Sequence, residues 1–153
     1  MSTKKSWGNI TWELFHALAE KVDAKKFSEI KPMLINIIIL ICRHLPCPYC
    51  STHAVSLLNK SYKNKINTKM DFIEFLRQFH NIVNIKLNKS TISEKQLTTM
   101  YQNSNLATAI QTFYKKYNYQ QYNIRFLHNS FHKNNFLKNL NDDLNKIKYA
   151  YET

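Results

Sequence analysis

All three cysteines of the chain fall between residues 42 and 50, in the stretch CRHLPCPYC. In Cys47-Pro48-Tyr49-Cys50, two intervening residues let both sulfurs meet in one small ring, the spacing that dithiol–disulfide exchange requires. A helix starting at the motif would add a dipole that favours a thiolate. The same stretch reads equally well as a zinc site, with Cys42, His44, Cys47, Cys50 and His53 as ligands. A chance cluster in a core helix is the third reading. Spacing leaves all three open.

The composition narrows the classes of protein that could carry such a motif. A chain of 153 residues with 44% apolar residues is long enough for a proper core and too apolar for a disordered tail. It has a single glycine and three prolines, which points to helices joined by short connections. The same shortage excludes a Rossmann fold or a phosphate-cradling glycine loop, so any nucleotide cofactor must be held by side chains. The formal net charge of +12 suits polyanions or an anionic membrane surface. The lysines are scattered rather than clustered, however, so no specific nucleic-acid binding is expected. The opening MSTKKSWGNITWELFHALAE lacks the apolar core and cleavage site of a signal peptide. MLINIIILI, residues 33–41, is too short to span a bilayer and contains Asn36. The expectation is a soluble, cytosolic protein in which a CxxC is catalytic or metal-binding.

Helical periodicity dominates. Asn9 or Thr11 caps a first helix with Trp12, Phe15, Leu18, Ala19 and Val22 inward. A second, about 24–44, is apolar on most faces and so central. Pro48 fits the first turn of a third, running to about Asn59. Residues 60–68 read as a loop. Thr68 and Asp71 start a fourth helix that buries Phe72, Phe75, Leu76, Phe79 and Val83. Ser93 and Gln96 form a capping box for a short fifth. Beyond Asn103 the sequence turns rich in Asn, Gln, Lys and Tyr. Residues 105–117 can be helical, and Leu137, Leu140, Leu144, Ile147 and Tyr151 make one apolar stripe, read as packing within the chain rather than on a partner.

Three separated segments carry residues suited to a flat, phosphate-bearing ligand: WGNITWELFH at 7–16, CPYCSTHA at 47–54 and HNIVNIKLNK at 80–89. Trp12 and His16 share a helical face, as do His80 and Asn84, while Lys86 and Lys89 supply charge for phosphates. Each residue alone is ordinary core or surface. Together, in this order, they resemble the Erv/ALR family of FAD-dependent sulfhydryl oxidases, whose pattern is WG, then W-x-x-x-H, then CxxC, then H-N-x-V-N-x-x-L-x-K. The chain resembles in particular the short oxidases of large cytoplasmic DNA viruses, which share the LPCxxC lead-in, the HA after it and LNK where LGK is usual. The resemblance spans residues 7 to about 103.

It implies an all-α fold, a four-helix bundle with a short fifth helix, followed by a helical extension. The expected division is an oxidase domain at 1–103 and an extension of unknown role at 104–153. FAD is the implied cofactor, held by Trp7, Gly8, Trp12, His16, Cys50, His53, His80, Asn81, Val83, Asn84, Lys86, Leu87 and Lys89. Cys47 is implied as the outer sulfur that meets a substrate dithiol, and Cys50 as the one that passes two electrons to the flavin and on to dioxygen, giving hydrogen peroxide. A homodimer in host cytoplasm, with virion association, is implied as well.

The chain departs from many members of the family in lacking a shuttle cysteine pair, so Cys47–Cys50 must draw on a partner directly. That partner is expected to be a small thioredoxin-like or CxxC protein. Cys42 reads as a buried thiol, and the His128/His132 spacing lacks a third metal ligand. CPYC also occurs in glutaredoxins, but no strand-like alternation surrounds it here and no proline follows Pro48. The remaining rival is a zinc-binding helical module using Cys42, Cys47, Cys50 and His53, which leaves the Trp12/His16 and His80/Asn84 pairs unexplained.

Overall fold

A computed structural model describes residues 7–45, 48–59, 62–119 and 130–152. Among them there are helices and no strand. The helices are α1 (Trp7–Lys21), α2 (Phe27–Arg43), α3 (Pro48–Asn59), α4 (Tyr62–Lys65), α5 (Lys69–Lys86), α6 (Glu94–Tyr101), α7 (Leu106–Tyr119) and α8 (Ser130–Ile147), with a closing 3-10 turn at Lys148–Tyr151. None is long and apolar enough to cross a membrane.

Apolar spacing accounts for the packing. Leu14 and Leu18 of α1, Leu34, Ile37, Ile38 and Ile41 of α2, Leu58 of α3, and Phe72 and Leu76 of α5 meet in one core without solvent contact or nearly so. Helices α1 and α5 lie together, as do α2 and α3, and α6 closes against α1 and α5. This is the four-helix arrangement with a short fifth element that the family resemblance implies. The helices beyond residue 103 add to the same core. Helix α7 lies along α1 and α8 along α2, burying Phe113, Phe136, Leu140 and Ile147. The apolar stripe of α8 therefore packs within the chain, although Leu137 is only half-buried.

Local chemistry sets several boundaries. Thr68 and Asp71 form a reciprocal capping box at the start of α5, and Ser93 and Gln96 do so for α6. Lysines staple helix ends: Lys69 Nζ donates to the Glu20 carbonyl at 2.8 Å and Lys21 Nζ to the Gln102 carbonyl at 2.8 Å. These contacts occupy part of the positive charge with helix C-termini, where the dipole favours it.

Four expectations need correction. Asn9 and Thr11 do not cap α1, which already begins at Trp7. The indole of Trp7 packs edge-on against Phe113 and Tyr117 of α7, so tertiary burial extends the helix past its local caps. Helix α2 starts at Phe27 rather than near residue 24. The segment 60–68 is not all loop, because Tyr62–Lys65 makes one helical turn leading to the buried Ile66. Polar composition alone does not distinguish a single turn from a loop. In α5, Val83 is half-buried while His80 and Asn84 are buried.

Candidate functional site

Two polar residues are buried on α5, His80 and Asn84, and His80 meets the buried His16 of α1 to mark the site. Helices α1 and α5 run side by side, and the i, i+4 spacing stacks the relevant rings between them. The indole of Trp12 lies parallel to the His80 imidazole, with centroids 4.1 Å apart and planes 8° apart. His16 Nε2 is 2.9 Å from His80 Nδ1, and the other face of His16 stacks on Tyr101 of α6 at 4.4 Å. The result is a slab of four rings: Trp12, His80, His16 and Tyr101.

Two imidazoles can share that bond only when one nitrogen carries the proton and the other accepts it, so both rings cannot be charged. Burial, then the neighbouring His80, lowers the His16 pKa to about 3. Burial, then the Lys89 ammonium, lowers His80 to about 4. Both are neutral at pH 7.

One side of the slab opens into a cavity of about 200 Å³ between the start of α1 and the end of α5. Its apolar floor includes Phe15, Phe79, Cys42 and Leu45, while Asn84 and Lys89 bring polarity and charge. Two buried polar atoms on its walls, Trp7 Nε1 and Thr11 Oγ1, have no hydrogen-bond partner among the described residues. A buried donor left unpaired is costly.

The end of α5 is shaped to bring Lys89 there. Asn88 has a positive φ of 58° just past the C-cap. Its N–H donates to the Ile85 carbonyl at 3.1 Å, and the Lys89 N–H reaches back to the Asn84 carbonyl at 2.8 Å. That pair of bonds is a Schellman turn with asparagine in the left-handed position, the commonest substitute for glycine there. The Asn84 side chain closes the same turn by donating to the Ser90 carbonyl at 3.2 Å.

Of the residues expected to hold a cofactor, the fold gathers Trp7, Gly8, Trp12, His80, Val83, Asn84, Leu87 and Lys89 around this cavity. His16 stands behind them. His53 of α3 meets Phe79 edge-on at 6.1 Å, one ring removed from the cavity. Asn81 lies elsewhere: its amide grips both backbone groups of Ile92, donating at 2.8 Å and accepting at 2.7 Å. Lys86 is exposed on the last turn of α5. Cys50 sits in the first turn of α3, with its side chain outside the described residues, as is Cys47 altogether. His128 also falls outside them, as does the side chain of His132. Among the described residues no three His, Cys, Asp or Glu side chains gather as a metal site.

Sequence reasoning did not assign Asn9, Thr11 or Leu45 to the site, nor Phe15, Cys42 and Phe79, which it read as core. Helical spacing signals burial for the last three, but not what they are buried against. Cys42 is almost without solvent contact, and burial pushes its thiol up to about 12.

The sequence model of the Erv1 / Alr family matches residues 9–103. The chain belongs to the Erv1 / Alr family. An African swine fever virus protein named FAD-linked sulfhydryl oxidase, from a Kenyan pig isolate, is 36% identical over 103 residues, covering 67% of this chain and 85% of its own. Its counterpart from a Malawian tick isolate is 33% identical over 102 residues, with the same coverage. A protein of invertebrate iridescent virus 3 is 28% identical over 98 residues, covering 63% of this chain and 66% of its own. Within this Erv1 / Alr chain, the family match contains α1 from Asn9 onward and all of α2 to α6, and with them nearly every residue of the ring slab and cavity. Helices α7 and α8 lie beyond it.

Proposed function

We propose that this chain is a FAD-linked thiol oxidase that makes disulfides in partner proteins through Cys47 and Cys50. The observation that carries the reading is membership of the Erv1 / Alr family by a chain whose α1 and α5 build a ring-lined cavity with unpaired buried donors. The relatives named FAD-linked sulfhydryl oxidase support the cofactor.

The residues present suit that group. Trp12 and His80 offer flat faces, Trp7 Nε1 and Thr11 Oγ1 offer hydrogen bonds, and Lys89 offers charge to a phosphate. At about 200 Å³ the cavity is below the 300–1,000 Å³ typical of small-ligand pockets, so it suits part of the cofactor, the rest lying at its mouth. When bound, FAD supplies a two-electron acceptor that dioxygen can regenerate.

The net reaction takes two substrate thiols and one dioxygen to one disulfide and one hydrogen peroxide, moving two electrons and two protons. Cys47 exchanges with the substrate thiol, and Cys50 completes the internal disulfide. The start of α3, at Pro48, favours the thiolate form of both. We assign residues 1–103 as the oxidase unit and 104–153 as its extension. The partner is a small dithiol protein of thioredoxin-like or CxxC type, and the setting is a homodimer in host cytoplasm or virions.

The visible spectrum of the purified protein tests the reading. Bound flavin absorbs in the blue, whereas a zinc module does not. Replacing His80 and Asn84 together by alanine should strip the colour while leaving helical circular dichroism largely intact. Full flavin occupancy in that double variant would overturn the assignment of the cavity.

A further inference from the structure

The end of α2 leads towards the cysteine motif, and its C-cap is held by the two helices outside the family match. His44 ends α2, three residues before Cys47. Its ring is held by α2 and α8 together. Nδ1 donates to the Leu40 carbonyl at 2.8 Å, and the ring face stacks on Phe136 of α8, with centroids 4.3 Å apart and planes 14° apart. Its backbone carbonyl is one of those a helix end leaves without an internal partner, and the Tyr117 hydroxyl of α7 donates to it at 3.2 Å. Burial pushes the Tyr117 phenol up to about 12, so it stays a donor at any working pH.

The Tyr117 ring also packs on Phe136 at 4.8 Å and edge-on to Trp7 at 5.6 Å. One aromatic cluster thus touches two places at once: the chain entering the motif, and the indole on the cavity wall.

We infer that Tyr117 and Phe136 are positioning residues for the redox motif, holding the end of α2 at His44, three residues before Cys47, in fixed relation to the cavity wall at Trp7. The extension then governs how readily electrons leave the Cys47/Cys50 dithiol for the cavity. This rests on the thiol-oxidase reading above. In that step the dithiol loses two electrons and two protons as its S–S bond forms; bound FAD would take up both electrons and one proton, and the second proton would pass to solvent. Loosening the end of α2 should slow this step and leave oxygen consumption by the reduced flavin alone.

The test uses flavin-loaded, full-length protein and two rapid-mixing measurements. Anaerobic dithiothreitol bleaches the flavin through the dithiol, and oxygenated buffer restores its absorbance. Tyr117→Phe removes only the hydroxyl and keeps the ring, so the protein folds. Bleaching should slow about three- to tenfold, the effect expected of one lost hydrogen bond, with oxygen recovery and flavin occupancy unchanged. Amide exchange read by mass spectrometry should rise across residues 44–50 and stay constant in α5. Phe136→Leu should slow bleaching further. Unchanged bleaching in Tyr117→Phe, or equal slowing of both half-reactions alongside a lower melting temperature, would reduce these residues to ordinary packing. A wild-type protein that dithiothreitol fails to bleach would sink the thiol-oxidase reading itself and this role with it.

Discussion

A shared hydrogen bond between two buried imidazoles ties the site to pH. Both His16 and His80 titrate below the ordinary histidine value of 6.5, at about 3 and about 4, chiefly because burial disfavours their charged forms. A depressed folded-state pKa means that the unfolded chain takes up protons more readily. The stabilisation is therefore complete above pH 6.5 and drains away as pH falls towards 4 and then 3. Denaturant midpoints measured across this range should drop on acidification, and more shallowly in His80→Gln, which cannot charge. The cysteines separate on the same ground of environment. Cys42 is buried against apolar neighbours with its thiol raised to about 12, so it carries almost no nucleophilic thiolate. Cys42→Ser should retain most dithiol-dependent oxygen uptake, whereas Cys47→Ser and Cys50→Ser should each abolish it. Cys50→Ser should also accumulate partner proteins as mixed disulfides on Cys47, visible on non-reducing gels, because the resolving thiol is gone. Trapping by Cys47→Ser instead would reverse the two roles.

The element whose ending matters most is α5. Its last turn hands Lys89 to the cavity through a left-handed residue, and the side chain at position 88 should decide how stable that turn is. Asn88→Gly should be tolerated within about half a kcal/mol. Asn88→Val should cost about 1–2 kcal/mol in denaturant unfolding and weaken flavin retention, because a β-branched residue resists positive φ. The elements show where sequence reading works. Both capping boxes, at Thr68/Asp71 and Ser93/Gln96, are legible because donor and acceptor lie three residues apart. The start of α1 is not, since it depends on Trp7 meeting Phe113 and Tyr117 more than a hundred positions away. Asn81 shows the same limit at the site. It neighbours His80 in the motif, yet its amide serves Ile92 across a loop, a contact with no periodic signature. The ring slab was half legible: helical spacing pairs Trp12 with His16 and His80 with Asn84, but only the fold brings Tyr101 beneath them.

At the scale of the whole molecule, the helices after residue 103 complete the core rather than hang from it. The apolar stripe of α8 was readable from spacing, but its seat on α2 was not, because no local signal names a partner surface. A chain cut after Asn103 would uncover the faces of α1 and α2 that Phe113, Phe136 and Leu140 now cover. It should lose its cooperative thermal transition in circular dichroism, since removing even one large aromatic from a core costs about 3–5 kcal/mol. The far end of the described chain is also fastened to the near end. The Tyr151 hydroxyl donates to the Leu18 carbonyl at 2.7 Å, the Asp23 N–H reaches the Ala150 carbonyl at 2.8 Å, and Lys26 Nζ reaches the Tyr149 carbonyl at 3.2 Å. This fastening has a consequence for biosynthesis. During translation the first helix emerges from the ribosome long before its last covering does, and closing so wide a loop is slow compared with making a local turn. Until residues 149–151 are clear of the exit tunnel, the nascent chain lacks the bonds that fasten Leu18, Asp23 and Lys26. Throughout that interval the faces of α1 and α2 that α7 and α8 will cover offer apolar surface to chaperones and aggregation partners.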